Sequence, residues 1–283
     1  MKHHFTVDVE EWFQVHALEP YVSRAEWDRL PSRVEGATRT LLELLAEHGA
    51  TGTFFTLGWI AERHPRLVRD IAAAGHEVAS HGWGHEKVGA LSPARFRESV
   101  RASKAILEDA AGTTVLGYRA PSFSITPSRA WAFDVLVEEG YAYDSSVFPG
   151  RGHGWPAALR DPHRAERAAG VLHELPPATV AIGGRLFPAG GGAFLRHLPL
   201  ALVRAGLRQA ERRGVPATFY VHPWELDPEQ PRLRVGWKTR VRHYGGLART
   251  VPRIRRLLGE FRFQSIARTL GLGTRAAEAP CPA

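Results

Sequence analysis

Cysteine is nearly absent: the single thiol, Cys281, sits in a Pro/Ala-rich stretch at the C-terminus. One cysteine excludes an internal disulfide and a metal site built on paired thiolates. Lysine is scarce as well, and nearly all of the 37 basic side chains are arginine, set against 29 acidic ones for a net charge of +8. A positive balance suits a polyanionic partner, but the arginines are scattered and no helix-turn-helix or zinc-finger spacing accompanies them, so no nucleic-acid partner is expected. No apolar run approaches the roughly 18 residues of a membrane-spanning helix. After Met1-Lys2 the chain enters His3-His4-Phe5 with neither an apolar h-region nor a cleavage pattern, so a cytoplasmic location is expected. The basic amphipathic stretch at residues 253–258 is read as docked on the body of the protein, with peripheral contact to an anionic membrane or polymer as the alternative.

What is present is a repeated strand and helix rhythm. At 283 residues and 44% hydrophobic, the chain can bury a large core as one domain. Strands are predicted at 5–10, 52–56, 75–80, 115–119, 141–143 and 217–222, and helices at 34–48, 66–74, 93–111, 127–139, 198–213 and 247–258. Ser92-Pro93 marks one helix start, with a hydroxyl at the N-cap and proline at the first helical position. Alternating βα order favours a parallel sheet, and without a dinucleotide fingerprint an α/β barrel fits it better than a nucleotide-binding sheet. Residues 148–192 break the rhythm with Gly, Pro and Arg, including Gly190-Gly191-Gly192, and read as long surface loops with short strands near 171–175 and 178–182. The expected organisation is one catalytic domain over 1–265, with a loop-rich insertion at 146–195, a C-terminal extension at 223–265 and a tail over 266–283.

Within that frame, the most informative stretch is Ser80-His81-Gly82-Trp83-Gly84-His85. Two histidines four residues apart at the end of a predicted strand, with a carboxylate from a distant segment, are the usual protein contribution to an open divalent-metal site. The carboxylate comes from Phe5-Thr6-Val7-Asp8-Val9-Glu10, where alternation places Thr6, Asp8 and Glu10 on one face and Phe5, Val7 and Val9 on the other. Glu11 points away on the same parity and is left out of the site. In Thr218-Phe219-Tyr220-Val221-His222 the same argument turns Tyr220 and His222 inward. Asp8, Glu10, His81, Arg119, Asp144 and His222 all fall at the ends of predicted strands, where a barrel gathers its chemistry.

These segments, together with Gly117-Tyr118-Arg119-Ala120-Pro121-Ser122, Tyr143-Asp144-Ser145-Ser146, Gly190-Gly191-Gly192-Ala193-Phe194 and Phe219-Tyr220-Val221-His222-Pro223-Trp224-Glu225-Leu226-Asp227-Pro228, resemble a polysaccharide deacetylase with the NodB homology domain, carbohydrate esterase family 4. The subgroup found with exosortase and exopolysaccharide loci, which has an added C-terminal region, is the nearest match, over about residues 3–265. The resemblance implies a distorted (β/α) barrel with long loop insertions and a C-terminal extension. It also implies a metal-dependent hydrolase that removes N-acetyl groups from amino sugars in exopolysaccharide biosynthesis. By the family pattern Asp8 is the general base and Glu10, His81 and His85 hold a divalent metal, zinc by preference. Arg119 holds the base, Asp144 tunes the histidine, and His222 is the general acid. Trp83, Tyr220 and Trp224 are expected to meet the sugar, and a backbone N–H near Ser122 to share the oxyanion. The expected partner is an N-acetylated glycan; action on a lipid-linked precursor at the inner face of the membrane is one hypothesis, and polymer against precursor stays open. Two departures stand out: Val9 separates the two acids of the first motif, and Gly82 replaces the common Ser or Thr. An allantoinase-like cyclic amide hydrolase, an O-deacetylase and a non-catalytic glycan-binding protein remain as alternatives, and the oligomeric state stays open.

Overall fold

The computed structural model describes residues 1–150 and 154–273; Cys281 lies outside the described residues. In chain order the elements are β1 (His3–Val9), α1 (Val34–Glu47), β2 (Thr53–Thr56), α2 (Gly58–Arg63), α3 (Pro65–Ala73), β3 (Glu77–Ser80), α4 (Pro93–Ala111), β4 (Gly117–Tyr118), α5 (Trp131–Glu138) and β5 (Tyr143–Asp144). There follow β6 (His163–Arg167), β7 (Gly170–Glu174), β8 (Thr179–Ile182), β9 (Arg185–Pro188), α6 (Ala193–His197), α7 (Leu200–Arg212), β10 (Thr218–Val221), α8 (Trp237–Tyr244), α9 (Thr250–Glu260), β11 (Phe263–Gln264) and α10 (Ile266–Leu270).

Alternation decides the layers. Phe5, Val7 and Val9 of β1 join the large apolar core shared with the helices, while the interior of the curled sheet holds Phe55, Ala79, Tyr143, Leu175 and Ile266. The sheet runs β10-β1-β2-β3-β4-β5-β7-β6, with β11 added beside β1. Every pairing in it is parallel except the β6–β7 hairpin. Isolated parallel bridges, Pro177 to Thr218 and Gly191 to Tyr220, join β10 to the segments that follow β7 and β9, so the barrel is distorted and only partly hydrogen-bonded around its circumference. Parallel order brings the C-terminal ends of β1, β3, β4 and β10 to one rim.

Helix boundaries follow local chemistry. α4 starts at Pro93, where the Ser92 hydroxyl accepts the Arg95 N–H at 3.3 Å, and stops at Gly112 in the left-handed conformation. α1 has no capping side chain of its own; the Glu11 carboxylate fills that role, accepting the N–H groups of Arg33 at 3.0 Å and Val34 at 3.3 Å.

The region read as surface loops contains two hairpins, β6–β7 and β8–β9, and Gly190, Gly191 and Gly192 are buried under Tyr220 rather than exposed. A Cβ at Gly191 would fall 1.7 Å from the Tyr220 carbonyl oxygen, so the triplet is a close backbone crossing. The chain also folds beyond residue 265. α10 plugs the bottom of the barrel, with Ile266 fully buried and the Ala267 N–H donating to Glu77 at 2.9 Å. The predicted tail therefore begins only after this plug. Its three-residue apolar spacing was too short to show as a helix in sequence.

Candidate active site

At the C-terminal rim, Glu10, His81 and His85 come together, with three candidate ligand atoms all within 4.8 Å of one another and every residue buried. The His81 Nδ1 donates to the Arg119 carbonyl at 2.8 Å, which fixes its tautomer and leaves Nε2 for the site. Burial pushes the His81 ring down to about 4, so it is neutral, the ligating form. The Trp224 indole N–H donates to Glu10 Oε1 at 3.0 Å. No hydrogen bond satisfies Glu10 Oε2, although His85 Nε2 lies 2.7 Å away. Burial works against the Glu10 charge, but the imidazoles around it, His85 first, hold its carboxyl below the usual range. A buried, anionic oxygen facing two imidazoles fits a divalent cation with an open coordination position.

Two hydrogen-bonded pairs flank this triangle. Arg119, fully buried, donates from Nη1 to Asp8 Oδ1 at 2.7 Å and to Thr6 Oγ1 at 2.8 Å. It also donates from Nε and Nη2 to Ser145, and its guanidinium lies 4.1 Å from the Phe55 ring centre. Opposite, His222 Nε2 stands 3.7 Å from Asp8 Oδ2 and 3.8 Å from Glu10 Oε1. Its Nδ1 donates to Glu225 Oε2 at 2.9 Å. Burial opposes charge on His222, but Glu225, then Glu10 and Asp8, outweigh it and push the imidazole up to about 9. Burial likewise disfavours the Glu225 anion, yet His222 and Arg196 hold its carboxyl down at about 2. Arg196 reaches Glu225 Oε1 from Nε at 2.7 Å and spends its remaining donors on the carbonyls of Arg242, His243 and Gly245.

The sequence-predicted residues divide. Asp8, Glu10, His81, His85 and His222 line one cavity together with Ser122, Tyr220 and Trp224, and Arg119 reaches the same rim through its hydrogen bond to Asp8. Asp144 does not meet His222. Strand parity turns Ser145, not Asp144, toward Arg119, and Asp144 instead accepts from Ser146 at 2.6 Å and packs on Glu174. The partner of His222 is Glu225, three residues on in the same turn. Trp83 points away from the cavity and packs on Gly58. Trp224 stacks with His222 and His243 at centroid distances of 5.3 and 4.4 Å, and its indole N–H anchors Glu10.

The cavity itself has a volume of about 530 Å³ and is walled by apolar side chains including Phe123, Phe148 and Phe194. His16, Arg196, Glu225 and His243 also line it, and sequence reasoning missed all four. His16 Nδ1 pairs with the Ser122 hydroxyl at 2.7 Å, and its ring lies 4.7 Å from that of His85. The three non-glycine residues with positive φ among the described residues, His85, Ser122 and Phe123, all face this cavity. Such conformations cost on the order of 1–3 kcal/mol each and concentrate where function demands them.

Residues 25–134 match the family model described as polysaccharide deacetylase. The chain carries a polysaccharide deacetylase domain. Residues 145–271 match a second model, a domain of unknown function (DUF3473), and this second region supplies His222, Glu225, Arg196 and Tyr220 to the site. A chitooligosaccharide deacetylase from Bradyrhizobium sp. is 26% identical over 194 residues, covering 66% of this chain and 82% of that one. One from Rhizobium leguminosarum bv. trifolii is 38% identical over 99 residues, covering 35% of this chain and 43% of its own length. A solved Mycobacterium smegmatis structure assigned to the polysaccharide deacetylases shares the fold at a TM-score of 0.65 and 23% identity, covering 99% of this chain and 94% of that one. A carbohydrate esterase family 4 pseudoenzyme from Bacillus anthracis also shares it, at 0.52 and 14% identity over 96% of this chain and 66% of that one. The fold alone therefore does not secure turnover, and the deacetylase domain must be judged on its side chains.

Proposed function

We propose that the chain is a metal-dependent N-deacetylase of amino-sugar glycans, serving exopolysaccharide assembly. The observation that supports it most is the convergence of Glu10, His81 and His85 between Asp8–Arg119 and His222–Glu225 at the floor of one cavity. An acetamide is a weak electrophile with a poor leaving group, so its hydrolysis needs an activated water, a stabilised oxyanion and a proton for the departing nitrogen. A divalent ion held by Glu10, His81 and His85, zinc by the chemistry of two imidazoles and a carboxylate, supplies carbonyl polarisation and a more acidic water.

The remaining work falls to the chain's own groups. Asp8 is oriented by Arg119 and takes the proton of the attacking water. His222 is charged in this environment and delivers a proton from Nε2 to the amide nitrogen as the C–N bond breaks. Water's oxygen ends in acetate and the sugar keeps a free amine, so atoms and charge balance. Tyr220, Phe123, Phe148 and Phe194 form the apolar wall against which a pyranose and its acetyl methyl pack. Acetate release from a chitooligosaccharide with and without a chelator tests the reading. Acetate that appears only in untreated enzyme and returns with added zinc is expected. Chelator-resistant release, or opening of a cyclic amide in place of acetate, contradicts it.

A further inference from the structure

The basic stretch at 253–258 is not the exposed face of this molecule. On α9, Ile254, Leu257 and Leu258 are buried, Arg253 donates to the Leu195 and Leu198 carbonyls, and Arg255 and Arg256 pair with Glu47 and Glu260. The segment just before it is different. Arg232, Arg234, Lys238, Arg240 and Arg242 are all exposed, and among the described residues no carboxylate lies within 4.0 Å of any of them. Arg232, Arg234 and Arg240 line a groove of about 510 Å³ with Leu233, Val235 and Tyr244.

Apolar side chains stand beside this unbalanced charge. Trp237 is 72% exposed and Val241 55% exposed, four residues apart and so on one face of α8. Tyr21, also exposed, accepts the Gly236 N–H at 3.2 Å and adjoins the start of the same helix. A soluble polyanion would use the arginines but has no use for an exposed tryptophan and valine. An anionic bilayer uses both: amphipathic aromatic rings sit at the headgroup level, and each nearby Arg or Lys adds attraction to lipid phosphates. Arg242 and His243, on this same helix, line the active-site cavity, so docking here sets the cavity mouth close to the membrane plane.

We propose that the α8 face docks the protein on an anionic phospholipid bilayer, with Trp237 and Val241 at the headgroup boundary and Arg232, Arg234 and Arg240 on phosphates. The proposal does not rest on the reaction catalysed. Its test is flotation of the full chain with vesicles of equimolar phosphatidylglycerol and phosphatidylcholine, against vesicles of phosphatidylcholine alone. Recovery with the anionic vesicles, weakened by salt, is expected. Trp237→Ser and the double change Arg234→Gln/Arg240→Gln are each expected to lower the bound fraction by about fivefold or more. The double change Arg39→Gln/Arg95→Gln, at exposed arginines already paired with Glu35 and Glu98, is expected to leave binding intact. Thermal midpoint and acetate release from a soluble oligosaccharide should be unchanged in all of these variants, which separates lost docking from lost folding or lost chemistry. Absence of flotation with anionic vesicles, wild-type flotation of both α8 variants, or binding abolished by a soluble acidic polysaccharide but indifferent to Trp237→Ser would overturn the proposal.

Discussion

Glu225 accepts the His222 Nδ1 hydrogen at 2.9 Å while Arg196 grips its other oxygen at 2.7 Å, so the imidazole that faces Asp8 is oriented from behind by a buried ion pair. Its ring angle and charge are set by the Glu225 carboxylate, itself held by Arg196. Glu225→Gln keeps the shape and removes the charge. The expected loss in kcat is about 10–100-fold, the usual cost of an orienting partner, with zinc affinity of the folded protein unchanged. Single-turnover acetate release alongside zinc titration checks this, and a variant with wild-type kcat would remove Glu225 from the mechanism.

Asp8 and Arg119 separate chemistry from stability. Asp8→Asn retains a hydrogen-bond acceptor for Arg119 and should fold, yet lose on the order of 10²–10⁴ in kcat as the base disappears. Arg119→Ala instead strands a buried carboxylate and is expected to cost about 3–5 kcal/mol in urea unfolding. The same change at the exposed, ion-paired Arg95 is expected to cost about 0–1 kcal/mol. Equal costs at the two arginines would contradict the buried network.

Gly191 has φ of +132° and leaves no room for a Cβ against the Tyr220 backbone. Gly191→Ala should therefore destabilise by more than about 3 kcal/mol, beyond the ordinary range for a surface change. Gly183, at the β8–β9 turn with nothing within 4 Å of a Cβ, should tolerate alanine better. Thermal unfolding of the two variants decides between them.

Much of this rim was legible in the sequence because strand parity is a strict rule. It placed Asp8 beside Glu10, excluded Glu11, and turned Tyr220 and His222 inward. The same rule applied to Tyr143-Asp144-Ser145 puts Ser145 on the face that meets Arg119 and turns Asp144 away from the site, where the family pattern had set it beside His222. Glu225 carried a local signal too, three residues after His222 in a Pro-led turn. His16 and Arg196 carried none: they reach the cavity through tertiary packing of segments with no periodic pattern. β6 was hidden because a half-exposed, arginine-bearing edge strand lacks an apolar alternation, β9 because four residues ending in proline are too few to show one, and the bottom plug because a five-residue helix is too short to register a period.

Two buried histidines predict the acid limit of stability. Burial pushes His4 down to about 3 and His76 down to about 4, and His76 Nδ1 accepts the Gly52 N–H at 3.1 Å, which requires a neutral nitrogen. Unfolded histidine titrates near 6.5, so between that value and the folded values the unfolded chain binds more protons. Their contribution is complete above about pH 6.5 and is lost as pH falls, with a slope of up to about 1.4 kcal/mol per pH unit for each group. Denaturant unfolding between about pH 7 and pH 4.5 should show this decline, and His76→Asn should make it shallower while His4 keeps its share. A stability that stays level over that window would contradict the assignment.

The proposed chemistry depends most on one cation seated among three side chains from two distant segments. Diffraction from zinc-soaked crystals, collected on either side of the zinc absorption edge, tests it directly. One strong anomalous peak bonded to Glu10, His81 and His85, within reach of Asp8 and His222, is expected. A peak elsewhere, or none between the two imidazoles of a folded protein, would contradict it.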